Sequence, residues 1–232
     1  MIGQEKHPHI PARNILDRIV LGGSDGAIEG LATTAALNGV GAGFGTVELA
    51  GFAFALAGAV SMFFSSYLSR KSELRSLKID MEREGMEIET EPEEEMAEMR
   101  ELLTKDGYGE EEVDVIMRRL LKDKSLFLKE MLRRELSENV EDAKADPYLR
   151  PFSAGVAFLL MALLAVSPYA FAIPRVDALL SSGALSLAAL FALGSRAFLP
   201  KSFDPAAGLE SVLVGAAAGG LLFLIGLLVS AA

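Results

Sequence analysis

The chain has no cysteine and only two histidines, His7 and His9, both near its N-terminus. Without cysteine there can be no disulfide, no thiolate metal site and no thiol nucleophile, and the redox compartment is left undetermined. Two histidines are too few for a histidine-rich zinc or di-iron centre. Any metal must therefore be held by oxygen and by methionine thioether. No nucleophile paired with a base and no phosphate-cradling glycine loop is apparent, so the chain is not expected to be an enzyme. The net charge of −10 argues against nucleic acid as a partner. A secretory signal peptide is not expected either: Met1 to Arg13 is polar, and the first apolar run continues past any cleavage point.

Long apolar runs dominate what is there. Of 232 residues, 51% are hydrophobic, and five runs reach the roughly 20 residues that a helix needs to cross a bilayer. They are Ile15 to Val40, Val47 to Ser69, Pro151 to Ile173, Val176 to Leu199, and Gly208 to Ala232. Between the second and third lies a charged segment, Arg70 to Arg150, with 16 basic and 24 acidic residues. The expected fold class is an all-α membrane protein of five transmembrane helices, with a cytosolic helical insert between spans 2 and 3. The expected domains are residues 1–70 (N-terminal arm and spans 1 and 2), 71–150 (the insert) and 151–232 (spans 3 to 5).

Positive charges near span ends set the orientation. Arg13, Arg18, Arg70, Lys71, Lys144, Arg150, Arg196 and Lys201 fall on one side and Arg175 alone on the other, so the N-terminus and insert are expected in the cytosol and the C-terminus outside. Span 1 is rich in glycine (Gly22, Gly23, Gly26, Gly30, Gly39), which suggests a bent or locally unwound helix. Gly215 and Gly219 form a small-xxx-small pair suited to packing on another helix. In the insert, charges dominate from Glu73 to about Glu89. Pro92 then opens a second helix with an apolar stripe (Met96, Met99, Leu102, Leu103) ended by Gly107. Val113, Ile116, Met117, Leu120 and Leu121 mark a third, and Leu128, Met131, Leu132 and Leu136 a fourth.

Span 1 carries two carboxylates, Asp25 and Glu29, four residues apart and so on one helical face. An Asp at the centre of a lipid-embedded helix costs roughly 2.5–3.5 kcal/mol, and such residues serve ions or protons. Glu29 has the alternative of pairing with Arg18 or Lys71. At about 1.5 Å of rise per residue, Asp25 lies about 13 Å and Met62 about 10 Å from the cytosolic ends of their spans. Ser61, Met62, Ser65 and Ser66 would then offer a polar and thioether lining opposite the carboxylates. Oxygen with thioether favours Fe²⁺ or Mn²⁺ over alkaline earths. In the insert, 11 of the 22 residues from Asp80 to Glu101 are acidic. Such runs are mostly solvated faces; here, however, Glu84 with Glu87 and Glu95 with Glu98 are spaced three apart on shared faces, and Met131 and Glu135 share a face later. Converging carboxylates repel each other unless cations neutralise them.

Taken together, Gly22 to Gly26, the run Gly58-Ala59-Val60-Ser61-Met62 followed by Tyr67, the acidic insert, and Gly208-Leu209-Glu210 resemble the vacuolar iron transporter family, here as a prokaryotic iron or manganese carrier. The resemblance covers nearly the whole chain. It implies a homodimer in the lipid bilayer of the cell membrane, a pathway between the two copies, and export of Fe²⁺ from the cytosol by proton antiport, with no cofactor; Mn²⁺, Zn²⁺ and Co²⁺ are the other cargo ions it suggests. By motif position, Asp25 and Met62 are the implied intramembrane metal contacts. Glu84, Glu87, Glu95, Glu98, Met131 and Glu135 are the implied metal-binding residues of the insert. Three departures stand out: Ser65-Ser66-Tyr67 replaces the family's usual Gly-Glu-Tyr, Glu29 replaces a small hydroxyl residue, and Leu132 replaces a second Met. A manganese carrier of the same type is the alternative within transport; a membrane-anchored interaction or sensing module is the alternative in another class.

Overall fold

The computed structural model describes residues 11–135, 146–171, 173–199 and 202–232, with the backbone alone for 11–14 and 135. His7, His9, Leu136, Lys144 and Lys201 lie outside the described residues. All regular elements among them are helical: α1 (Pro11–Gly39), α2 (Phe44–Thr90), α3 (Pro92–Lys105), α4 (Glu110–Leu120), α5 (Lys124–Glu135), α6 (Leu149–Val166) with a 3-10 turn at Ser167–Ala170, α7 (Arg175–Gly194) and α8 (Pro205–Ala231). They fall into two compact units, one of residues 1–67 and 148–232, the other of residues 68–147.

In the first unit α1 packs against α6, α7 and α8. Among the described residues, four helices are long and apolar enough to cross a membrane: α2, α6 with its 3-10 turn, α7 and α8. α1 has the length, at 29 residues, but its three carboxylates, Asp17, Asp25 and Glu29, and its glycines make it less apolar than those four. Its glycines do not unwind it: α1 is unbroken from Pro11 to Gly39. They serve close approach instead. A Cβ at Gly22 would fall inside the Ala154 carbonyl and one at Gly26 inside the Phe158 carbonyl, while one at Gly30 would press on Ala162 and Ala165. These three glycines are spaced four apart, so they make one seam against α6. Gly39 lies in the same way over Phe223 and Gly226 of α8. The small-xxx-small pair of α8 also packs inside the chain, Gly215 on Leu190 of α7 and Gly219 on Leu31 of α1.

The second apolar run and the first helix of the charged segment are one helix, not two. Nothing between Tyr67 and Gly85 breaks a helix: the chain turns from apolar to charged while staying in residues of good helical propensity. α2 ends only at Thr90, because Pro92 disfavours helical backbone in the residue before it. Three other helices end in the same motif. Gly41 (φ +76°), Gly107 (φ +97°) and Arg196 (φ +52°) each take the left-handed conformation after α1, α3 and α7. The amide of the next residue then bonds a carbonyl five back, Ala42 to Leu37, Tyr108 to Leu103 and Ala197 to Ala192, which is the Schellman arrangement. At Arg196, where a side chain is present, Asp17 of α1 holds the guanidinium at 3.2 Å. α7 therefore stops at Gly194, short of the expected Leu199. α8 is capped by Asp204, whose carboxylate accepts from the amides of Ala206 and Ala207, as the end of an apolar helix requires.

The second unit has its own core. Met99, Leu103, Val113, Met117, Leu120, Phe127 and Met131 form one buried cluster, the stripes read from the sequence on α3, α4 and α5. There are exceptions: Leu121 is 54% exposed, because α4 ends at Leu120, and on α5 the cluster takes Phe127, with Leu126 against it, in place of the expected Leu128. Gly109 and Glu112 box the start of α4, and Asp123 accepts from the amides of Ser125 and Leu126 at the start of α5. Across the surface, Lys124 donates to Glu89 at 2.6 Å and Arg100 to Asp114 at 2.7 Å.

Two predictions follow from this packing. Gly26→Ala drives a methyl into backbone that cannot give way and is expected to cost about 1–3 kcal/mol. Gly220→Ala on α8, with nothing within 4 Å, is expected to be neutral or to gain up to about 1 kcal/mol. Thermal unfolding in detergent reads both. The second concerns Glu89, whose carboxyl is held below its ordinary value by the hydrogen bond from Lys124 and by that ammonium's charge. A carboxyl lowered on folding adds stability above its unfolded pKa, and that contribution is lost as pH falls through the folded value. Lys124→Ala is expected to return Glu89 to the ordinary range, as measured by carboxyl NMR titration.

Candidate metal-binding sites

Asp25 and Glu29 sit in the middle of α1, flanking the seam formed by Gly22, Gly26 and Gly30. Asp25 is half-buried and Glu29 exposed in the single chain. Neither has a hydrogen bond or an ion pair among the described residues, so Glu29 does not take the basic partner that the sequence left open to it. They belong to a stripe along α1, with Leu21, Ile28 and Ala32, that is half-buried or exposed throughout. α6, α7 and α8 leave its outer edge, with Leu21 and Glu29, uncovered.

Met62 is half-buried on α2 and packs beside Ala55, Phe158 and Ala162. The hydroxyl of buried Ser66 points at its sulfur, 3.8 Å away. Ser61 and Ser65 are exposed. The lining expected from four residues is thus split between two faces of α2, and no hydrogen bond links Met62 or Ser66 to the carboxylates of α1. Two aromatic stacks close this end of the unit: Phe63 on Tyr67 at 6.3 Å, and Tyr67 on Tyr148 at 5.5 Å. They join the points where the chain leaves the unit and returns.

A polar cluster that the sequence reading passed over lies further along α1. Thr34 and Asn38 are one turn apart on it. The Asn38 amide donates to the Tyr169 hydroxyl at 2.7 Å and to the Thr34 carbonyl at 2.8 Å, while its oxygen accepts from Arg175 at 3.3 Å. The Thr34 hydroxyl lies 3.2 Å from that of Ser182, which donates to the Ala165 carbonyl at 2.6 Å. Thr34 and Ser182 are fully buried and Tyr169 is 3% exposed. The signal in the sequence was a Thr and an Asn at helical spacing inside an apolar run.

In the second unit, Glu84 (1% exposed) and Glu95 (8% exposed) are buried, on α2 and α3. Glu87 is half-buried beside Arg83 at 3.7 Å, and Glu98 is exposed. Met131 is fully buried within the apolar core. The side chain of Glu135 lies outside the described residues. Among the described residues, no three acidic or histidine side chains come together closely enough to hold a metal ion. Glu95 does line a groove of about 370 Å³ with Glu89, Met96 and Lys124, which puts two carboxylates and a thioether on one surface.

The comparisons with known proteins agree with this architecture. The model of the VIT family matches residues 16–227. Vacuolar iron transporter 1 of Eucalyptus grandis is 31% identical over 224 residues, covering 96% of this chain and 90% of its own length. Vacuolar iron transporter 1 of Arabidopsis thaliana is 31% identical with coverage of 96% and 89%. Vacuolar iron transporter 2 of Oryza sativa subsp. japonica is 32% identical over 198 residues, with coverage of 84% and 78%. A match from the start of the carboxylate helix to near the end of α8 leaves one assignment: the chain belongs to the VIT family.

Proposed function

We propose that this chain is a divalent transition-metal carrier that exports Fe²⁺ from the cytosol by proton antiport. The observation that carries the reading is the pair of unpartnered carboxylates, Asp25 and Glu29, on the partly uncovered stripe of α1. A carboxylate in such apolar surroundings is costly when ionised and alone, so it takes a cation or a proton. On this reading α1 is a fifth span, and its stripe meets that of a second copy in a homodimer, with the pathway between them. The relatives named as iron transporters support the choice of cargo.

The remaining roles follow in sequence along the path. The second unit is a cytosolic metal-binding domain in which Glu84, Glu87, Glu95 and Glu98 collect the ion, with Met131 and Glu135 alongside. Asp25 and Met62 receive it within the membrane and Glu29 is the next step outward. Protonation of Asp25 or Glu29 from the far side releases the ion and resets the carrier, because the neutral carboxyl no longer attracts it. The N-terminus faces the cytosol and the C-terminus the opposite side. Mn²⁺ accepts the same ligands, and competition among Fe²⁺, Mn²⁺, Co²⁺ and Zn²⁺ distinguishes the preferred cargo.

Reconstitution in vesicles tests the reading. With a metal-quenched dye and a pH dye inside, Asp25→Asn is expected to slow Fe²⁺ uptake at least about tenfold, given the cost of an unaccompanied charge at that depth. Uptake equal to the parent's overturns the reading. Replacing Glu84, Glu87, Glu95 and Glu98 together with Ala is expected to weaken Mn²⁺ binding to the full chain in calorimetric titration.

A further inference from the structure

α1 carries its polar groups on two opposed faces. Asp25 and Thr34 are nine residues apart, as are Glu29 and Asn38. At 3.6 residues per turn, nine residues make about two and a half turns, so each carboxylate stands half a turn round the helix from one member of the buried cluster. The cluster binds α1 to two other segments, the 3-10 turn through Tyr169 and α7 through Arg175, with Ser182 of α7 packed at 3.2 Å on the Thr34 hydroxyl, which itself donates to the Leu31 carbonyl of α1. The glycine seam against α6 does a different job. It sets how near the helices come but offers no directional bond, and Gly22-Gly23 and Gly26-Ala27 are neighbouring small residues. A one-residue rotation there would carry Ala27 and Leu31 toward the places of Gly26 and Gly30, where a Cβ meets the α6 backbone. The seam thus resists turning by crowding alone; the directional bonds that hold the angle of α1 come from the cluster.

We propose that Thr34, Asn38, Tyr169 and Ser182 form a rotational lock that aims Asp25 and Glu29 along the partly uncovered stripe. They are positioning residues: none of them meets the ion, and they act through the angle of α1. A buried network in which each member is satisfied specifies one arrangement and disfavours its neighbours. In lipid, where apolar packing adds no drive of its own between helices, such bonds and close packing are what distinguish one rotation from another. The proposal rests on the transport reading for its functional consequence, but its geometry can be tested without transport.

The absence of cysteine supplies the test, since a single introduced cysteine is the only thiol. Thr33→Cys stands one turn beyond Glu29 on the same face, and Ala27→Cys stands on the enclosed face, where Ala27 is fully buried. In reconstituted vesicles a small water-soluble maleimide is expected to label position 33 at least about tenfold faster than position 27, and Tyr169→Phe combined with Thr34→Val is expected to bring the two rates together and cut Fe²⁺ uptake about tenfold, with folded yield unchanged. Should the double variant fail to fold, Tyr169→Phe and Ser182→Ala singly remove one hydroxyl each and are expected to narrow the contrast in the same direction. Equal labelling in the unmodified background overturns the lock, as does a contrast and an uptake that survive loss of the hydroxyls. Parent-like uptake by Asp25→Asn would instead sink the transport reading, while the labelling contrast would still decide the lock.

Discussion

A pair of carboxylates set into a largely apolar helix is the constraint under which the first unit is built. Asp25 and Glu29 lie midway along a helix whose neighbours α6, α7 and α8 are among the most apolar stretches of the chain. Were they turned into that bundle they would need basic partners, and among the described residues they have none. The arrangement leaves Glu29 exposed and Asp25 half-buried at the edge of the bundle. The glycine face of α1 meets α6 carbonyl against Cα, the polar face with Thr34 and Asn38 meets α7 and the 3-10 turn, and the carboxylates take the side that is left. Local composition serves one end: a helix with three kinds of face has only one rotation in which each face is content.

The same logic bears on the acidic unit in a milder form. There the carboxylates have water, and several are offset by nearby basic groups, Glu87 by Arg83 and Glu89 by Lys124. Surface pairs of this kind contribute little to stability. What holds the unit together is the cluster of Met99, Leu103, Val113, Met117, Leu120, Phe127 and Met131. Methionine suits such a small core, since its flexible thioether fills irregular gaps. Glu84 and Glu95 are the departure from that economy, because a buried carboxylate is retained at a cost. Their enclosure distinguishes them from the solvated acidic residues around them, and gives the proposed collecting site its two fixed points.

Much of this was legible before any coordinates. Helix starts were, because Pro92 and the turn at Gly107 act locally through backbone geometry, and so were the stripes of α3, α4 and α5, because burial follows helical period. The join at Arg70 lies close to the division between the two units, at Tyr67 and Leu68, but it is not a break in the helix. A change from apolar to charged residues marks a change of surroundings, not an end of hydrogen bonding, and α2 runs through it. The glycines of α1 were open to two readings. Glycine is compatible both with unwinding and with close approach, and only the position of the α6 carbonyls decides between them. The polar cluster was missed because half of it comes from Tyr169 and Ser182, far along the chain, so the pairing of Thr34 and Asn38 at helical spacing points to a polar face but not to its partners. Which glutamates meet in the acidic unit is beyond sequence spacing too, since spacing orders residues on one helix and says nothing of the facing one.

The departures from the family pattern can now be weighed physically. Ser66 stands where the resemblance leads one to expect a carboxylate, and it is buried with its hydroxyl on the sulfur of Met62. A glutamate there would bring a charge into a place shut off from solvent, whereas a hydroxyl needs only a weak acceptor and sets its bond on the thioether. Glu29 supplies an acid elsewhere, one turn beyond Asp25 and on the exposed edge of the α1 stripe. On the transport reading this moves a negative charge from the mouth of α2 to the interior of α1. An ion leaving Asp25 then finds a second carboxylate about 6 Å further along the helix axis, close enough that the two share a cation or a proton instead of each needing its own.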